Sequence, residues 1–123
     1  MNEFKSFFKK PNKHKNIKCT CQLGHLHDSR GEAGYCNTLK YLKLAKEIKS
    51  FEIQKKFPLK VEGMTFANHI VDFLVTLNDG TIEVREFKAH TTMTQTWRIK
   101  HKIFLRNYPE IPYKIVTQGD LIR

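Results

Sequence analysis

Residues 68–88 read NHIVDFLVTLNDGTIEVREFK, and the reading of this stretch decides the fold. Asn78-Asp79-Gly80 is a strong turn signal between two runs of strand-forming residues, so residues 68–77 and 81–88 are predicted to form a hairpin. A three-residue loop with Gly80 in the left-handed conformation sets Leu77 opposite Thr81, and counting back sets Asp72 opposite Glu86. Asp72 interrupts the apolar run of Ile70, Val71, Phe73, Leu74 and Val75, where an ionised carboxylate is costly to desolvate unless it finds a partner. Glu86 and Lys88 stand two apart and share one face of the second strand. Two carboxylates directly opposite on one face lie roughly 5 Å apart at Cβ, a destabilising arrangement unless a cation sits between them. Oxygen donors of this kind suit Mg²⁺, with Mn²⁺ as a substitute, and Lys88 would point into the same space.

Working outward, Ser29 followed three residues on by Glu32 resembles a capping box, which starts a helix there. Ala33, Tyr35, Leu39, Leu42, Ala45 and Ile48 fall near helical spacing, with Lys40, Lys43, Lys46 and Lys49 mostly on the other side. Phe51 to Val61 reads as an extended segment whose Pro58 pushes it to a sheet edge or a strand end. A second amphipathic helix is predicted from Thr92 to Asn107, with Trp97, His101 and Phe104 on one stripe and a stop before Tyr108-Pro109. Tyr113 to Thr117 is a last short strand. The order α-β-β-β-α-β implies an α/β fold with helices covering a central sheet.

A chain of 123 residues supports one core, so residues 19–123 are predicted as a single domain preceded by a flexible basic arm at 1–18. The net charge of +10 favours polyanionic partners, nucleic acid above all, and Lys9, Lys10, Lys13 and Lys15 of the arm are candidate phosphate contacts. No apolar run approaches the roughly 18 to 20 residues of a membrane span, and the N-terminus lacks the apolar core of a signal peptide. Three closely spaced cysteines argue against a disulfide framework and suit a reducing compartment, so the expected location is the cytoplasm.

Cys19, Cys21, His25, His27 and Cys36 fall within eighteen residues, and thiolates with imidazoles at short spacing are what a tetrahedral Zn²⁺ site requires. Cys36 lies one helical turn after Glu32, so such a structural metal would tie the segment before the helix to the helix itself. The choice between Cys19 and Cys21 stays open.

Asp72, thirteen intervening residues and then Glu86-Phe87-Lys88, on a hairpin after a helix bearing Glu32, resembles the PD-(D/E)xK nuclease superfamily from about His27 to Thr117. The runs Ser29 to Ala33, Glu52 to Leu59, Asp72-Phe73, Glu86 to Lys88 and Trp97 to Lys100 are similar to small phage-encoded members of unassigned function. The nuclease core of the transposase subunit TnsA is similar too. The resemblance implies a restriction-endonuclease-like fold with a central mixed sheet and Mg²⁺-dependent phosphodiester hydrolysis. Asp72, Glu86 and Glu32 would hold the metal, and Lys88 would act as the catalytic lysine, orienting or activating water. Val71 stands where the motif's name has proline. Gln54 and Lys100 match positions of the phage group that could contact phosphate. A DNA endonuclease selective for branched or junction DNA in phage recombination, replication or repair is therefore expected, as a homodimer or within a larger DNA-processing complex. The competing expectations are a non-catalytic basic nucleic-acid binder and a zinc-stapled adaptor.

Overall fold

The computed structural model describes residues 19–27, 29–88 and 93–120. Strands β1 (Cys19–Thr20) and β2 (Leu26–His27) form a small antiparallel ladder ahead of helix α1 (Arg30–Leu44). Strands β3 (Ser50–Val61), β4 (Met64–Thr76) and β5 (Ile82–Phe87), helix α2 (Gln95–Asn107), strand β6 (Tyr113–Val116) and a 3-10 turn (Gln118–Asp120) follow. The main sheet has the order β3-β4-β5-β6, with β3, β4 and β5 antiparallel and β6 parallel to β5. It is a mixed sheet in an α/β fold, because a helix carries the chain from β5 back to a parallel neighbour. Among the described residues no helix is long and apolar enough to cross a membrane.

Ser29 caps α1 as expected, its side chain accepting from the Glu32 N–H at 3.1 Å. The helix stops four residues before Ile48, earlier than the apolar stripe suggests. Lys46 takes a left-handed φ of 61°, Lys46 N–H bonds Lys43 O, and Glu47 N–H bonds Leu42 O. These bonds satisfy the last carbonyls and end the helix; Ile48 is buried from the connection that follows. Helix α2 starts at Gln95, since the Thr94 side chain accepts from the Trp97 N–H; Thr92 lies outside the described residues, as do Lys9, Lys10, Lys13 and Lys15.

Pro58 lies on β3, which is an edge strand, where its missing N–H breaks no internal ladder. The hairpin register is the one counted from the turn: Leu77 N–H bonds Thr81 O, Thr76 faces Ile82 and Phe73 faces Arg85. Tyr35, Cys36, Leu39, Phe73 and Val75 share one core cluster with α1, and Leu59, Val71, Leu74, Val84 and Phe104 share the other with α2. Val71 and Leu74, three apart, lie in the same cluster, which strict strand alternation does not allow. Between them the β3–β4 ladder skips one pair without a change of register. Gln54, which the β3 register would set opposite Asp72, has a φ of 51° and is absent from the ladder. The β4–β5 ladder stops one pair short of Asp72 and Glu86.

Candidate active site

Where the β4–β5 ladder stops, carboxylates take the place of backbone partners. Phe87 N–H donates to Asp72 Oδ2 at 2.9 Å, and Asp72 N–H donates to Glu86 Oε2 at 3.3 Å. Glu86 is buried and heavily bonded: Tyr113 Oη donates to Oε2 at 2.9 Å and Trp97 Nε1 to Oε1 at 3.2 Å. With its hydrogen directed at Glu86, the Tyr113 oxygen accepts from His69 Nε2 at 2.8 Å. Burial pushes His69 down to about 3, which keeps it neutral.

Glu32 reaches the same place from the first turn of α1. It is buried, and its carboxylate stands near enough to Asp72 to raise that carboxyl. Gln54 Nε2 donates to Glu32 Oε2 at 3.2 Å, and His27 Nδ1 lies 2.7 Å from the same oxygen. Gly31 makes this approach possible: a Cβ there would stand 2.0 Å from the Phe87 ring. Lys88 Nζ lies 3.8 Å from Glu86 Oε1 and 5.1 Å from the centre of the Trp97 ring.

Three carboxyl groups from α1, β4 and β5 thus converge, and the electrostatics register the crowding. Burial and then Glu32 hold the Asp72 carboxyl well above its ordinary range, with Lys88 opposing. Burial and then Asp72 push Glu86 up to about 7. Acids in this condition either hold a proton or share a cation. Asp72 is partly accessible, so the group is not sealed from solvent.

A second group adjoins the first. The ligand atoms of Cys21, His25, His27 and Cys36 lie within 4.8 Å of one another. This Cys2His2 set can bind a metal ion. Cys36 Sγ is 3.5 Å from His25 Nδ1, close to the edge of about 3.6 Å that tetrahedral Zn–S and Zn–N bonds generate. The loop is shaped for it by Cys21 N–H bonding His25 O and by Gly24 at φ 85°. Of Cys19 and Cys21 the group takes Cys21; Cys19 pairs across from His27 in the small ladder and lies outside the group. Burial and the neighbouring Cys21 push the Cys36 thiol up to about 12, so two thiols face each other where a cation would displace their protons.

The family described as "Protein of unknown function (DUF1064)" matches residues 11–120. The chain belongs to this family. No curated protein matches it. Both groups of side chains, from Cys21 to Tyr113, lie within the matched span of this DUF1064 member.

The structure brings Glu32, Asp72, Glu86 and Lys88 together, with Gln54 at their edge. Lys100 is placed differently: its Nζ donates to Asn68 O at 3.0 Å, tying α2 to β4. Little in the sequence signals a role for Tyr113 and His69. Tyr113 opens the parallel strand, and only the β5–β6 pairing carries it to Glu86. Trp97 reads as one apolar position of a helix stripe, while its indole N–H is a ligand of the acidic cluster. The remaining buried acid, Glu83, is neutralised by Arg85 at 2.9 Å and Lys114 at 3.2 Å and takes no part.

Proposed function

We propose that the chain is a Mg²⁺-dependent DNA endonuclease with a restriction-endonuclease-like core. The observation that carries the reading is the convergence of Glu32, Asp72 and Glu86, with Lys88 beside them, where the β4–β5 ladder stops and the β3–β4 ladder skips a pair. Asp72 and Glu86 would hold the cation, with Glu32 completing the acidic set. Bound there, Mg²⁺ or Mn²⁺ would supply Lewis-acid polarisation of the phosphate and a more acidic water.

The chain's own groups do the positioning. Tyr113 and Trp97 fix both oxygens of Glu86, Phe87 N–H fixes Asp72, and Gln54 with His27 fixes Glu32. Little reorganisation is then needed when charge develops on the phosphate. Lys88 places its Nζ beside Glu86, where it orients the attacking water or offsets that charge. Hydrolysis forms one P–O bond to water and breaks one ester P–O bond. The net charge of +10 supports backbone-directed binding, and branched or junction DNA is the favoured substrate, as in phage recombination, replication or repair. Dimeric or larger assemblies would supply a second cut.

Zn²⁺ is the ion we assign to Cys21, His25, His27 and Cys36, as a structural staple for a small domain. Incubation with linear, nicked, single-stranded and four-way-junction DNA, with and without Mg²⁺, tests the function. Cleavage of the junction only with the metal is expected; binding without cleavage on every substrate would leave a non-catalytic binder.

A further inference from the structure

Two candidate metal groups meet at one residue. His27 is a member of the thiolate–imidazole set, and its Nδ1 lies 2.7 Å from Glu32 Oε2. Ligation through Nε2 is compatible with this Nδ1 contact. A ring ligated at Nε2 carries its hydrogen on Nδ1 and donates it to the carboxylate, which is how metal-bound imidazoles are usually oriented. Glu32 in turn neighbours Asp72, whose carboxyl its charge acts on. A continuous path runs from the thiolates through His27 and Glu32 to the acid proposed to hold Mg²⁺.

We infer that metal bound by Cys21, His25, His27 and Cys36 sets the position of Glu32, and so couples occupancy of that site to cation binding at the carboxylates. The inference rests on the reading of the acidic cluster as a cation site. His27 is here a positioning residue. Its ring is buried against Phe73 at 6.0 Å between centroids, so it cannot swing aside without disturbing the core. Glu32 is also held by the N-terminal turn of α1, through its backbone N–H, and by Gln54, which donates to the same oxygen that faces His27. The coupling is reciprocal: whatever factor zinc adds to Mg²⁺ affinity, Mg²⁺ adds to zinc affinity. A residue bonded to a metal ligand typically contributes about 10- to 100-fold in metal affinity.

The test uses the full chain loaded with one equivalent of Co²⁺ in place of zinc, whose visible bands report a site of two thiolates and two imidazoles. Titration with Mg²⁺ should shift those bands in the wild type. Glu32→Ala should abolish the shift and weaken zinc about 10- to 100-fold in competition with a chromophoric chelator. Glu32→Gln keeps an acceptor for His27 and should recover part of the zinc affinity. Mn²⁺ binding by the same protein, followed by electron spin resonance and lost in Asp72→Asn, judges the carboxylate site separately. Mn²⁺ binding with unmoved cobalt bands overturns the coupling and leaves the carboxylate reading standing. Wild-type protein that binds no Mn²⁺ overturns both. The wild-type titration needs no substitution, so a variant that fails to fold does not blunt the test.

Discussion

At the scale of single residues, Glu86 is the side chain on which the site's acid–base behaviour turns. Its carboxyl is pushed up to about 7 from an ordinary value of 4.5, by burial first and by Asp72 second. The folded chain therefore binds more protons than the unfolded chain between those values, and the contribution of Glu86 to stability is lost as pH rises from about 4.5 to 7. His69 acts in the opposite sense, since its value is lowered to about 3 and its contribution grows as pH rises toward 6.5. The difference between wild type and Glu86→Gln isolates the Glu86 part. In EDTA, thermal melting should show the variant gaining on the wild type as pH climbs toward 7, and Mg²⁺ should restore the wild type above that pH. A constant difference across this range would mean that Glu86 is not held protonated. Tyr113→Phe removes one donor to the same carboxylate and should weaken Mg²⁺ about 10-fold, read by Mn²⁺ competition.

At the scale of elements, the site depends on how closely α1 approaches β5. Gly31→Ala would place a methyl group 2.0 Å from the Phe87 ring, between the two residues that follow one another into the site. Overpacking of this kind costs about 1–3 kcal/mol, and we expect a lower melting temperature with a larger loss of cleavage, because Glu32 moves with its helix. Lys46→Gly relieves a left-handed φ of 61° at the end of the same helix and should stabilise the chain by up to about 1 kcal/mol. How much of this was legible differs between elements. The β4–β5 hairpin was readable because its turn residues and strand period are local, and the structure keeps the register that places Asp72 next to Glu86. The α1 N-terminus was readable from Ser29 for the same reason. The end of α1 was not, because Lys46 adopts a conformation its residue type does not advertise. Gln54 was singled out by resemblance alone; that it breaks the ladder opposite Asp72 and bonds Glu32 depends on packing across the sheet. Tyr113 and His69 lie 27 and 44 residues from the groups they bond, and no local pattern encodes such pairs.

At the scale of the whole molecule, a domain of this size draws support beyond its divided core from one cluster of side chains. The Cys21, His25, His27 and Cys36 group ties the segment before α1 to the helix itself. Protein purified without added zinc should carry about one zinc per chain, and chelation or Cys36→Ser should lower the melting temperature, since binding energy in such sites is folding energy. Zinc-free protein that melts like the native form would return these residues to ordinary packing. The net charge of +10 acts over longer range. Deleting residues up to Lys15 should flatten the slope of log affinity for DNA against log salt, because fewer counterions are released on binding. An unchanged slope would place the binding surface entirely on the remaining chain.

The proposed activity is a property of the whole molecule acting on DNA, and its most direct test compares wild type with Asp72→Asn on one four-way junction. In Mg²⁺ the wild type is predicted to cleave, and to stop in EDTA. Asp72→Asn should lose cleavage by about 10³-fold or more, a loss of the size seen when a group that stabilises transition-state charge is removed, while binding the junction with wild-type affinity and salt dependence. Cleavage that persists in EDTA, or in Asp72→Asn at the wild-type rate, would contradict the assignment of Glu32, Asp72, Glu86 and Lys88 as a hydrolytic site.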